Sequence, residues 1–199
     1  MTMKAFIFFL FYSLSAFKIL AQNEGKQVEY RIGLGPAIEG NVGLFAVNFT
    51  NEISFNLNNR ANLNASVTYF QSLGDLERSS VLYFNTHSGF FTNLTFSYNL
   101  FKTNKGFYTT LEAGPSFQVG SSTYQVYAEY VNNQWIYEYE IENHSRLGFV
   151  TSLALGWGNN RSNTKSSSIL ISIYSFDNYY GYFLMTTYRF GFLVKRQRE

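Results

Sequence analysis

Arg146-Leu147-Gly148-Phe149-Val150-Thr151-Ser152-Leu153-Ala154-Leu155-Gly156-Trp157 decides the fold. A β-strand sends successive side chains to opposite faces. Leu147, Phe149, Thr151, Leu153, Leu155 and Trp157 therefore share one face, and Arg146, Gly148, Val150, Ser152, Ala154 and Gly156 share the other. One face is greasy and the other is small or polar. The pattern recurs about eight times along the chain. Almost no helical stretch is left to cover the greasy faces, so lipid is the expected cover.

The first strand is expected over 27–38, with Glu29 and Arg31 on its polar face. Gly40-Asn41 turns into a second strand over 43–57, whose polar face holds Asn48, Thr50 and Glu52. Asn58 to Ala61 form a tight turn into a third strand with Leu63, Ala65, Val67 and Tyr69 outward. A longer connection spans 72–81, and a fourth strand lies within 83–100. A compact turn at 102–106 leads to a fifth strand over 107–119, with Glu112 on its polar face. The connection over 120–145 is the longest. Its interior reads as a hairpin around Asn132-Asn133. The strand quoted at the outset is the sixth. Ile169, Ile171 and Ile173 mark the seventh, and the eighth covers 180–194 and includes Arg189.

The N-terminus is Met1-Thr2-Met3-Lys4 followed by apolar residues 5–14, with Ala21 before a polar stretch. A basic start, a short apolar core and a small residue describe a cleavable signal peptide, residues 1–21. Its removal takes Lys4 and Lys18, leaving 13 basic against 13 acidic residues. Residues 22–199 form one domain, an all-β, eight-stranded antiparallel transmembrane β-barrel. Both termini then lie on one side, the periplasmic one. The turns there carry Arg60, Lys102, Lys105, Arg161 and Lys165, while the longest loop holds Glu129, Glu138, Glu140 and Glu142 and no basic residue. This charge asymmetry suits a two-sided object.

Composition narrows the function classes. Aromatic residues are 20% of the chain, as a lipid-facing wall with aromatic girdles requires. Cysteine is absent, which excludes disulfides, thiolate metal sites and a cysteine nucleophile. No phosphate-binding loop, HExxH or calcium loop occurs, so no metal and no cofactor are expected. No basic tract points to nucleic acid.

The only two prolines lie in Gly35-Pro36 and Gly114-Pro115, four strands apart. Proline cannot donate to a ladder. The echo suggests a duplicated four-strand unit or one local bulge used twice.

With these residues in view, the chain resembles the small outer-membrane β-barrel proteins of Gram-negative bacteria. These are the OmpA/OmpX-like superfamily and the families called outer membrane protein beta-barrel domain. The resemblance rests on Leu20-Ala21-Gln22, the two Gly-Pro strands and the final strand Tyr188-Arg189-Phe190-Gly191-Phe192. It covers all of residues 22–199 and is architectural. It implies an outer-membrane location, surrounding lipid and lipopolysaccharide, and handling by the barrel assembly machinery, which reads a C-terminal aromatic. Leu193 to Glu199 extend past Phe192, a departure from that pattern. The resemblance implies no defined chemistry.

Six charged residues face inward on this reading: Glu29, Arg31, Glu52, Glu112, Arg146 and Arg189. Charges inside a narrow barrel should pair, so they are expected to form a lumen network. The long loop offers Tyr127, Tyr130, Trp135, Tyr137 and Tyr139 as a surface-interaction patch for an extracellular ligand or protein. The alternative is that these rings merely stiffen a hairpin. The pairs His87-Ser88 and His144-Ser145 tempt a catalytic reading. Adjacent strand residues face opposite sides, so neither pair makes a dyad. His87 is expected in the lumen and His144 at a loop or rim. The favoured function is a non-enzymatic envelope-structural or surface-interaction protein. Two rivals are a lipid-modifying enzyme like the lipid A deacylases and an exported soluble lipocalin-like barrel with its greasy face inward.

Overall fold

A computed structural model describes residues 28–40, 43–58, 60–75, 85–104, 106–158, 165–176 and 182–194. The expected signal segment and its cleavage point lie outside the described residues. Eight strands close into one antiparallel barrel in chain order. They are β1 (Val28–Glu39), β2 (Leu44–Asn56), β3 (Ala61–Asp75), β4 (Thr86–Lys102), β5 (Tyr108–Val131), β6 (Gln134–Trp157), β7 (Lys165–Phe176) and β8 (Tyr182–Val194). The ring closes where β1 pairs with β8, Tyr30 opposite Phe192 and Leu34 opposite Tyr188. Closure leaves no sheet edge in the wall, the one way a sheet can cross lipid.

The wall follows the alternation in the sequence. Phe90, Leu94, Phe96, Leu111, Phe149 and Leu153 are exposed on the outside, while Glu52, Asn64, Asn93, Ser116, Ser172 and Arg189 are buried inside. Outward apolar and inward polar residues define a transmembrane barrel. The lipocalin-like alternative needs the reverse and is thereby overturned.

Two regions depart from expectation. The strands over 107–119 and from 146 are parts of longer ones, because β5 runs to Val131 and β6 starts at Gln134. Residues rich in Tyr, Val and Ile continue the pleat past the barrel rim. Asn132 and Asn133 take φ of 52° and 65°, the left-handed pair of a two-residue hairpin turn. β4 stops pairing with β5 at Thr123, and β7 pairs with β6 only from Gly148. Beyond those points β5 and β6 pair with each other as a ribbon. Eight residues of β5 at about 3.3 Å each carry it about 26 Å past the last β4 rung.

The proline echo is real, but it is a gap in the ladder rather than a bulge. Leu34 and Ala37 pair with β8 while Gly35 and Pro36 do not, and the register is unshifted. Ser116 and Ala113 pair with β4 while Gly114 and Pro115 do not, again unshifted. Each proline thus lies where no donor is required. A Cβ at Gly35 would lie 1.8 Å from the Thr186 carbonyl oxygen, and one at Gly114 would lie 2.1 Å from that of Leu94. Both glycines are required by this close approach. Asn48 covers the first gap, its Nδ2 donating to the carbonyls of Gly35 at 3.0 Å and Pro36 at 3.1 Å.

Candidate functional site

The lumen is filled in layers. Nearest the end that carries both termini, β1, β2, β5 and β8 direct charges at one another. Arg31 donates from Nη2 to Glu29 Oε2 and from Nη1 to Glu52 Oε1, both at 2.7 Å. Arg189 donates from Nη1 to the other Glu52 oxygen and from Nη2 to Glu112 Oε1, both at 2.9 Å. The result is one chain, Glu29–Arg31–Glu52–Arg189–Glu112, with Glu52 bridging two guanidiniums. Ser166 donates to Glu29, and Arg189 Nε donates to Ser168 Oγ at 3.2 Å. Burying five charges is tolerable only because each has an opposite partner within hydrogen-bond reach. Five of the six predicted lumen residues therefore meet. Arg146 does not join them; it lies opposite Gln118, toward the other end.

Above the charges lies a layer of uncharged polar pairs. Thr50 and Thr68 hydroxyls are 2.9 Å apart, Ser116 donates to Asn93 Oδ1 at 2.7 Å, and Thr187 donates to Asn48 Oδ1 at 2.8 Å.

An aromatic plug follows, which sequence reasoning missed. Phe70, Phe91 and Phe183 are each 0% exposed. Phe183 meets Phe70 and Phe91 edge-on at centroid distances of 5.2 and 5.1 Å, and Phe176 meets Phe91 at 5.7 Å. Edge-to-face contacts at these distances are favourable beyond their area. The signal was present as doublets. Tyr69-Phe70, Phe90-Phe91 and Tyr182-Phe183 each place two rings on adjacent residues, so one ring of each must face inward.

Next to the plug sit the two histidines. His87 Nδ1 is 2.9 Å from Ser122 Oγ, its direct cross-strand partner. His87 Nε2 is 3.0 Å from Gln118 Nε2 and 3.4 Å from His144 Nε2. His144 shares the lumen-facing side of β6 with Arg146 and lies four residues before the first β7 rung at Gly148, so it takes the rim position expected of it and there meets His87. The two rings lie 4.8 Å apart, centroid to centroid. Gly120, opposite His144 in the ladder, leaves room for this contact: a Cβ there would sit 3.2 Å from His144 Nε2.

The ribbon has two unlike faces. Trp135, Tyr137 and Tyr139 alternate with Ile136, Glu138 and Glu140 along β6. Tyr130 joins the aromatic side, with ring centroids 5.2 Å from Trp135; Trp135 lies 6.2 Å from Tyr137, and Tyr137 lies 6.4 Å from Tyr139. Tyr127 leaves the group. An irregularity between Gln125 and Tyr127 inserts one residue and sets Tyr127 opposite Glu138. Its hydroxyl donates to Glu129 at 2.6 Å, and that bond holds the phenol above its ordinary pKa. The predicted aromatic patch is thus four rings on one face and one ring among the acids on the other.

The architecture, a closed ring of eight antiparallel strands, is a fold shared with known bacterial barrel proteins. Three solved structures share it at low identity. Ail, the attachment invasion locus protein of Yersinia pestis, is 13% identical with a TM-score of 0.56, covering 86% of this chain and 100% of its own. The Neisserial surface protein A is 7% identical with a TM-score of 0.59, covering 85% and 99%. The N-terminal β-barrel domain of Pseudomonas aeruginosa OprF is 11% identical with a TM-score of 0.54, covering 84% and 97%. Ail has also been solved in complex with the heparin analogue sucrose octasulfate. No family model and no curated protein sequence matches the chain. The likeness is one of fold.

Proposed function

We propose that this protein is a non-enzymatic outer-membrane protein that presents the β5–β6 ribbon for surface interaction. On this reading an N-terminal signal exports the chain, the barrel assembly machinery inserts it, and lipopolysaccharide surrounds its outer half. The supporting observation is the pairing of a plugged lumen with a projecting, two-faced ribbon. Ion pairs and phenylalanines fill the lumen, which favours a rigid mount over a channel. The ribbon exposes Tyr130, Trp135 and Tyr139, residue types that anchor interfaces. Its other face carries Glu129, Glu138, Glu140 and Glu142. Four carboxylates repel a polysulfated glycan of the kind seen with Ail and favour a partner bearing lysine or arginine.

The test replaces residues 124–140 by a two-residue Asn-Gly turn, which keeps Thr123 opposite Ile141. Intact and trimmed barrels should both reach the membrane fraction and both change gel mobility on boiling. Only the intact barrel should retain a lysine-rich probe peptide, and neither should retain heparin. Equal retention by both barrels refutes the ribbon as the binding surface.

One observation favours a second reading as a lipid-modifying enzyme. Ser122 Oγ lies within hydrogen-bond reach of His87, the first requirement of an activated serine. Ser122 is only 2% exposed and faces the lumen, whereas acyl chains lie against the outer wall. Loss of a lipid A modification in Ser122→Ala cells would reverse the preference.

A further inference from the structure

We propose that His87, His144 and Gln118 form a binding site for one divalent transition-metal ion, of the zinc, copper or nickel class, at the ribbon end of the lumen. The two Nε2 atoms are 3.4 Å apart. Two imidazole nitrogens bound to one tetrahedral ion at about 2.0–2.1 Å are themselves about 3.4 Å apart. The pair thus already has the bite of a chelate, and imidazole is the side chain these metals favour. Two facing Nε2 atoms at this distance cannot both carry protons, so at least one presents a lone pair.

Ser122 Oγ lies 2.9 Å from His87 Nδ1, and in the tautomer in which it accepts Nδ1–H, His87 Nε2 is the bare nitrogen. A partner on the far ring nitrogen is what fixes the tautomer of a metal-ligating histidine. The third donor is Gln118. It is 0% exposed, and its Oε1 has no hydrogen-bond partner. The two ends of an amide exchange by a half-turn. That turn carries the orphaned oxygen to the place Nε2 now occupies, 3.0 Å from His87 Nε2. An ion there gives Oε1 the partner it lacks. His144 is half-exposed, so the site opens toward the ribbon, and water completes the shell. Glu142 and Arg146 flank His144 on its own face of β6; Arg146 acts the more strongly and also reaches His87, so its positive charge opposes the ion and keeps binding weak.

Among the described residues no group of three or more His, Asp or Glu side chains is placed to hold a metal. The site proposed here has two imidazoles and an amide, so it should bind reversibly. The experiment titrates Zn²⁺ into the folded, full-length barrel, made without a histidine tag, and follows heat. One ion per barrel is expected. His144→Asn, at a half-exposed position, should leave heat-modifiability intact and weaken binding at least about tenfold. Ser122→Ala removes a positioning residue and should weaken binding about tenfold without abolishing it. Gln118→Glu supplies a charged oxygen and should tighten binding. Absence of zinc binding to the parent barrel overturns the proposal. So does an unchanged affinity in His144→Asn, which would assign the ion to carboxylates elsewhere.

Discussion

Below Thr123 and Gly148, β5 and β6 are two staves of a closed wall; above those residues the same strands have only each other. The alternation of β6 persists through both regions, but its cause changes. In the wall, Leu153 and Phe149 face outward because lipid is there, and Ser152 and Glu112 face inward, where Ser172 and Arg189 supply their partners. In the ribbon, rings alternate with carboxylates although solvent bathes both faces. Burial therefore explains the pattern in the wall, and it does not explain the pattern in the ribbon. Charges behave differently in the two regions as well. Glu52 is held by two guanidiniums at 2.7 and 2.9 Å, whereas the only hydrogen bond described for Glu129 comes from Tyr127.

Breaking the wall's charge chain should have the largest effect. Arg189→Met leaves Glu112 and half of Glu52 buried without a counter-charge, which should cost about 3–5 kcal/mol. Urea titration in detergent, followed by gel mobility, measures it. A loss below about 1 kcal/mol would mean that water reaches the lumen charges. Gly114→Ala comes next. Its methyl group meets the Leu94 carbonyl, so the two strands must part at a cost of about 1–3 kcal/mol. The same titration reads it, and the Gly35→Ala equivalent should match. In the ribbon, Trp135→Ala should change barrel stability by no more than about 0.5 kcal/mol. Probe-peptide binding should fall by about 2 kcal/mol, or roughly thirtyfold. A stability loss as large as that of Arg189→Met would erase the distinction between wall and ribbon. The smallest effect is spectroscopic. Glu129→Gln should lower the Tyr127 phenol toward its ordinary titration range, seen as an earlier rise of phenolate absorbance with pH. The sign follows from the bond, because the carboxylate accepts the phenolic proton and repels the phenolate.

Much of the wall was legible because parity is a local property. Leu147 to Trp157 announce a lipid-facing strand without knowledge of any neighbour. The inward position of Glu29, Arg31, Glu52, Glu112 and Arg189 follows from the same rule. Parity is blind to height along the barrel, and height decides who meets whom. Arg146 has the right face and the wrong level. His87 and Ser122 are 35 residues apart and meet only because β4 and β5 pair in one register. His144 could have been aligned by counting back from Asn132-Asn133, but the extra residue near Val126 shifts that count by one. The same residue moved Tyr127 away from the other rings. Bulges carry little signature in a chain this rich in Tyr, Ser and Asn.

The two missing stretches of ladder, at Gly35-Pro36 and Gly114-Pro115, lie in β1 and β5, half a circumference apart in a ring of eight strands. Those two seams, β1–β8 and β4–β5, are short of rungs, so backbone hydrogen exchange is expected to be faster there than along the uninterrupted β6–β7 seam.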